Sequence, residues 1–223
     1  MPLNANALTT LADVKAELGL TGTVDDAYLE SQINFVSTAI EDFIGCKLGY
    51  QSGKVEKIKG YGGTRIRVSL TPVVVLTDVT IENPLGIQAT LDVDDMEIEN
   101  DGFEGFIYYR SGWPWTAPRP KGSITRDPFP GHEESTIRVT YDGGYVLPAN
   151  QPGTFPQADL PLSIQRAATL SVSTVYNRRG SDRAIKSESL MSYRVDYGTQ
   201  QNPSGFSDEV ASLLMPYRCI RGA

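Results

Sequence analysis

The sequence predicts an α+β protein, a helical bundle formed by its N- and C-terminal segments with an inserted antiparallel β domain. Three observations carry this. Apolar residues recur at three-and-four spacing before residue 49 and after residue 158. Between those segments they alternate every second residue, in short runs rich in Val, Ile and Thr. The runs follow one another with no helical pattern between them, which indicates an antiparallel sheet or small barrel. The expected division is a bundle from residues 1–49 and 158–223, and a β domain over 50–157. The ends of an inserted domain lie close together, so both helical segments are able to join one bundle.

Taken in order, Thr9 or Thr10 caps a short helix through Leu11, Val14 and Leu18, and Gly19 stops it. Thr23 or Asp25 caps a longer one, with Asp25, Asp26 and Glu30 at the positive end of its dipole. Leu29, Ile33, Val36, Ile40 and Phe43 or Ile44 form its apolar stripe, and Gly45 ends it. Strands begin near Tyr50. "TRIRVSL" sets Ile66, Val68 and Leu70 on one face, and "PVVVLTDVTIE" is β-branched almost throughout. "ATLDVDDMEIEN" alternates through Leu91, Val93, Met96 and Ile98, and "GFIYYRSGW" and "STIRVTYDGGY" complete the set. "GWPWTAPRPKGSITRDPFPGHEE" is too long for a tight hairpin. A third helix runs from Pro161 through Ile164, Ala167, Ala168 and Val175 to Tyr176. "SESLMSYRVDYG" reads as an extended excursion. A last short helix starts at a Ser207 cap and breaks at Pro216.

Composition narrows the function. With 223 residues, 40% of them hydrophobic and 21% charged, the chain has ample material for a core. Its longest apolar runs, such as Val73–Leu76, are far too short to cross a bilayer. "MPLNANALTT" shows no secretory signal. Cys46 and Cys219 have no metal or redox spacing, so the simplest expectation is two reduced, partly buried thiols, a disulfide between them being the alternative. The net charge of −7 is unevenly spread. Residues 1–161 hold 12 Lys and Arg against 22 Asp and Glu, whereas residues 162–223 hold 8 against 5.

Catalytic and metal chemistry is hard to find. His132 is the single histidine and stands in the Gly/Pro-rich loop without a triad partner. "GYGGTR" lacks the Lys-Ser/Thr of a phosphate loop and precedes a strand, so it reads as a turn. The acids Asp92, Asp94, Asp95, Glu97, Glu99 and Asp101 interleave with apolar residues like the solvent side of an edge strand. They lack the loop spacing that gathers roughly six to eight oxygens around Ca²⁺. No cofactor is expected. Trp113 and Trp115 in "GWPW" offer a platform for sugar or single strands, or an anchor for their own loop. The cluster in "VYNRRGSDRAIKSE", namely Arg178, Arg179, Arg183 and Lys186, exceeds what a helix C-terminus needs.

In combination these pieces resemble a known family. "LTTLADVKAELGLTGTVDDAYLESQINFVSTAIEDFIGCKL" is similar to the start of tailed-phage head–tail connector (adaptor, head completion) proteins. "TPVVVLTDVTIENPLG", "SGWPW", "IRVTYDGGYVLP" and "LPLSIQRAATLSVSTVYNRR" resemble the larger members with an inserted β domain, as do "IKSESLMSYRVDYG" and "VASLLMPYR". The resemblance implies a non-enzymatic virion protein made in the host bacterial cytoplasm, with no membrane association. It implies a homo-oligomeric, dodecameric ring under the portal protein that extends the DNA channel and bears the next neck, stopper or tail-completion protein. DNA passes through such a ring without sequence-specific binding. Interface candidates are then Arg178, Arg179, Arg183, Lys186, Tyr193, Arg194, Tyr197, Tyr217, Arg218 and Arg221, since Tyr and Arg are enriched at interfaces. Asp25, Asp26, Glu30, Glu41 and Asp42 are channel- or neighbour-facing candidates. Trp113 and Trp115 are candidates for the tail platform. The alternatives are a carbohydrate- or surface-binding module using the tryptophans, and a DNA-binding protein using the arginines.

Overall fold

The computed structural model describes residues 2–83, 86–116, 135–149, 159–179, 187–190, 193–196 and 205–218, with 187–190 and 193–196 described by their backbone. Along the chain run α1 (Leu11–Leu18), α2 (Asp26–Ile44), β1 (Gln51–Ile58), β2 (Arg65–Arg67) and β3 (Val73–Asn83). There follow β4 (Gly86–Leu91), β5 (Met96–Ile98), β6 (Phe106–Tyr109), β7 (Thr136–Gly143) and α3 (Leu162–Asn177). β8 (Ser187–Leu190), β9 (Tyr193–Asp196) and α4 (Asp208–Leu214) complete the order. Helices and antiparallel sheets together make the expected α+β class. One compact unit comprises Met1–Cys46, Leu147–Pro152 and Leu160–Ala223, and the other Lys47–Val146 and Gly153–Asp159.

The helical unit follows its local signals closely. Thr10 caps α1, its Oγ1 accepting from the Asp13 N–H at 3.1 Å. Gly19 ends that helix in the left-handed region at φ 66°, where a residue with a Cβ is strained. α2 buries Leu29, Ile33, Val36, Ile40 and Ile44 along one stripe. Each such side chain contributes about 1.5–3 kcal/mol on burial, whereas a cap contributes about 1 kcal/mol. Burial therefore holds α2, which suits the finding that the Asp25 side chain at its N-cap makes no capping hydrogen bond. α3 buries Ile164, Ala167, Ala168, Ser171 and Val172, and the small residues among them let α2 and α3 pack closely. Thr9 and Thr169 hydroxyls meet at 2.8 Å and tie the N-terminal segment to α3. Ser207 caps α4, which buries Val210 and Leu214. Pro216 does not break the chain out of helix at once but continues it as a short 3₁₀ turn, Met215–Tyr217.

Among the described residues the β unit contains two antiparallel sheets, ordered β1-β7-β3-β4 and β2-β6-β5, where the sequence left a sheet or a small barrel open. Ile137, Val139 and Tyr141 of β7, Val73 and Val79 of β3, and Ile66 and Ile107 of the smaller sheet share one core. The strand expected from Leu91 through Ile98 is interrupted. Asp92 accepts from the Asp94 N–H at 3.0 Å and caps a one-turn 3₁₀ helix, Val93–Asp95. That side-chain bond captures the backbone, so β4 and β5 fall in different sheets. A polar link ties β1 and β7 to the segment between β2 and β3. The Tyr141 hydroxyl donates to Glu56 Oε1 at 2.6 Å and accepts from the Leu70 N–H at 3.0 Å, while the Ser69 N–H and hydroxyl also donate to Glu56. Gly60 lies so close to Pro114 that a Cβ would collide with its carbonyl oxygen.

Cys46 corrects one expectation: it is disulfide-bonded rather than a free thiol. The chain holds one other cysteine, Cys219, which lies outside the described residues.

Candidate functional site

Among the described residues a polar seam of the helical unit joins its acidic N-terminal helices to α3 and to Arg179 just after it. Arg179 donates to Asp25 Oδ1 at 2.6 Å, and the Tyr176 hydroxyl donates to Asp25 Oδ2 at 2.7 Å. The Arg179 guanidinium also lies 4.3 Å from the Tyr176 ring centre and 5.7 Å from that of Tyr28. The Arg179 guanidinium first, then the Tyr176 hydroxyl, hold the Asp25 carboxyl below the usual carboxylate range. The same carboxylate pushes the Tyr176 phenol up. One turn along, Lys15 pairs with Asp26 at 2.7 Å, and Arg166 pairs with Glu17 at 2.5 Å. A small depression of about 60 Å³ adjoins the seam, lined by Lys15, Leu20, Gly22, Val24, Asp25, Asp26 and Leu29. It has room for a side chain or a few waters.

Among its described residues the β unit brings no reacting groups together. Trp113 is buried in the core, 2% exposed, with its ring 5.4 Å from that of Tyr109. It anchors its own loop, its backbone N–H donating to the Gly63 carbonyl at 2.8 Å, and offers no platform. Trp115 is half-buried and packs edge-on against the exposed Tyr61, the two also forming an isolated antiparallel bridge. "GYGGTR" is the turn leading to β2, pinned where Gly60 donates to the Thr116 hydroxyl at 2.7 Å. The acidic run is absorbed locally: Asp92 caps a turn and Glu99 pairs with Arg65 at 2.8 Å. Among the described residues no group of three or more His, Cys, Asp and Glu is placed to hold a metal ion. Nor is any described helix long and apolar enough to cross a membrane. His132 lies outside the described residues.

Residues 8–95 match the family model of the phage gp6-like head–tail connector proteins. Over that span, less than half of its length, the chain is similar to this connector family. No curated protein matches the chain in sequence. Among solved structures, the fold is similar to a chain in the neck of an empty gene transfer agent (GTA) particle computed with C6 symmetry, with a TM-score of 0.55 at 16% identity. That likeness covers 100% of this chain and 98% of the other. A chain in the virion of the native particle gives 0.53, and one in the native neck computed with C12 symmetry gives 0.52, both at 16% identity. They cover 100% of this chain and 95% and 94% of theirs. At that identity the likeness is one of fold.

The interface residues expected from the sequence fare unevenly. Arg179 meets a carboxylate of its own chain, and so do the candidates Asp25 and Asp26 meet cations of their own chain. Arg178 is exposed at the end of α3. Arg218 lies 5.4 Å from the Phe43 ring centre, and Tyr217 is half-buried beside it in sequence. Glu41 is buried, Glu30 half-buried and Asp42 exposed. Tyr193 and Arg194 fall in β9, while Arg183, Lys186, Tyr197 and Arg221 lie outside the described residues. Sequence reasoning missed Lys15, Glu17, Tyr28 and Arg166 as members of the seam. The contrast of charge between the two parts of the chain was their only signal.

Proposed function

We propose that this chain is the ring-forming subunit of a phage neck. Copies of it assemble as a dodecamer under the portal protein, lengthen the DNA channel and carry the next neck or tail-completion protein. The observation that carries this reading is the coincidence of two likenesses on one chain: the connector family over residues 8–95, and a fold shared end to end with chains of neck structures. In this reading the protein works by shape and contact, without a catalytic role. It is made in the host cytoplasm and ends at the head–tail interface of the virion. The net charge of −7 favours a conduit that DNA slides through, since phosphate-binding surfaces are rich in Lys and Arg. The helical unit is the connector core and the β unit an insertion in it. The C-terminal segments, residues 182–197 and 216–223, engage the portal and neighbouring subunits.

The test is docking. Portal-containing heads lacking this protein are mixed with the full chain or with a chain ending at Met215, and imaged by electron cryomicroscopy. The full chain is expected to add a ring of density below the portal, and the truncated chain to remain folded but unbound. A full chain that leaves the vertex bare refutes the neck reading. Normal docking of the truncation refutes the role given to the tail.

A further inference from the structure

Among the described residues the β unit has four edge strands: β1 and β4 flank one sheet, β2 and β5 the other. Three carry charges of the kind that keep an edge from pairing with another chain. These are Lys54, Glu56 and Lys57 on β1, Arg65 and Arg67 on β2, and Glu97 on β5. β4, with the sequence "GIQATL", has neither charge nor proline. Gly86, Ile87, Ala89 and Thr90 are exposed, Ile87 at 61%. One side of its backbone pairs with β3, from Val79 opposite Leu91 to Asn83 opposite Gly86. A register shift between Ile81 and Glu82 disturbs only the start of the strand, leaving Ala89–Leu91 in regular pairing. Among the described residues no strand lies on the other side.

The helical unit has the opposite deficit. β8 and β9 pair with each other alone among the described strands, and a lone two-stranded hairpin is marginal in water. Their register sets Leu190 opposite Tyr193 and Glu188 opposite Val195, so three apolar positions share one face of the ribbon. Residues 178–186 and 197–207 join the hairpin to α3 and α4, segments long enough to carry it roughly 30 Å when extended. Among the described residues, an uncharged open edge and a hairpin without a sheet thus occur once each on every copy.

We propose that the β8–β9 hairpin of one subunit adds to the β4 edge of the next copy, continuing the β1-β7-β3-β4 sheet across the subunit boundary. This rests on the ring reading above and names the contact that closes the ring. Donor and acceptor are different surfaces of the same chain, so the contact is heterologous and propagates head to tail until it closes. Main-chain hydrogen bonds supply the affinity, as in other cases of strand addition, and the neutral edge raises no charge against them.

Two full-length variants test it. In one, residues 187–196 are replaced by a Gly-Ser segment of equal length; in the other, Ile87→Lys and Thr90→Lys charge the β4 edge at exposed positions. Circular dichroism and thermal melting establish that both fold. In sedimentation velocity and on portal-containing heads, the unmodified chain is expected to assemble, and each variant to do so at least tenfold more weakly. Mixed in equal amounts, the variants are expected to give a 1:1 heterodimer that grows no further, because one keeps the edge and the other the hairpin. Folded variants that assemble like the unmodified chain overturn the inference and leave the ring reading standing, as does a mixture that gives no heterodimer. An unmodified chain that assembles neither alone nor on heads overturns the ring reading itself. Amide hydrogen exchange on the unmodified chain needs no substitution. Protection at residues 86–91 and 187–196 is expected to rise together on assembly, and assembly without that rise overturns the proposal.

Discussion

Removing one oxygen atom at Tyr141 tests the account of how the β unit is held together. In Tyr141→Phe the ring remains in the core, but Glu56 loses a donor at 2.6 Å and the buried Leu70 N–H loses its acceptor at 3.0 Å. Glu56 keeps the Ser69 N–H and hydroxyl, so its charge is not stranded. The loss is then one hydrogen bond to a charged acceptor plus one orphaned buried donor, about 2–4 kcal/mol together. With a urea slope of about 2 kcal/mol per M, the unfolding midpoint falls by roughly 1–2 M. Trp113 is buried in the same core and reports the transition by its fluorescence. The pH dependence gives an independent check. Burial first, and then the Glu56 carboxylate, push the Tyr141 phenol well above its ordinary value. A raised folded value favours the neutral form, so this contribution is whole below about pH 10 and is lost as pH rises beyond it. The substituted protein has no such loss, so the gap between the two proteins narrows above pH 10. A midpoint shift under about 0.3 M, or a gap that is flat across that pH range, refutes the reasoning.

Three further outcomes follow from the geometry. The Asp25 carboxyl titrates below the ordinary value of about 3.9, and Arg179→Gln raises it, which carbon-detected NMR reads directly. Because its folded value is depressed, its contribution to stability is present above that ordinary value and is lost as pH falls through the folded one. Gly60→Ala, which drives a Cβ into the Pro114 carbonyl, is expected to cost about 1–3 kcal/mol in a denaturant titration, and an unchanged midpoint contradicts the close approach. Cys46 is expected to resist alkylation in unfolded, non-reduced protein and to react after a thiol reductant is added, a mass difference that peptide mapping locates.

The helices were legible because their signals are local. Thr10 and Gly19 bracket α1 within ten residues, and the stripe from Leu29 to Ile44 repeats at the helical period. The inward face of β7 was legible for the same reason, with alternation carrying Ile137, Val139 and Tyr141 into the core. The strand predicted through Asp92–Asp95 failed because alternation cannot show that an aspartate side chain has taken over the next backbone N–H. Glu56 bears no mark in sequence that separates it from a surface acid, yet it accepts the Tyr141 hydroxyl of a strand 85 residues away. The charged seam was harder still. Arg179 and Asp25 are 154 residues apart, and Arg166 and Glu17 are 149 apart. Only the imbalance between the acidic and basic parts of the chain foreshadowed such pairs, and it did not say whether the partner was another subunit or the same one.

That distinction bears on how copies would hold one another. The most prominent basic cluster of the sequence, "NRRGSDR", invites an interface of arginines against a neighbour's carboxylates. Yet Arg179 is engaged with Asp25, Tyr176 and Tyr28 of its own chain, and Arg166 with its own Glu17. Half-exposed ion pairs between subunits would be screened by salt, since the Debye length falls from about 10 Å at 0.1 M to about 3 Å at 1 M. Strand addition at β4 depends on backbone hydrogen bonds and an uncharged edge, which salt leaves almost untouched. Assembly measured by sedimentation is therefore expected to change by less than about threefold between about 0.1 and 1 M sodium chloride. A loss of an order of magnitude or more over that range would return the interface to the arginines and take it away from the sheet edge.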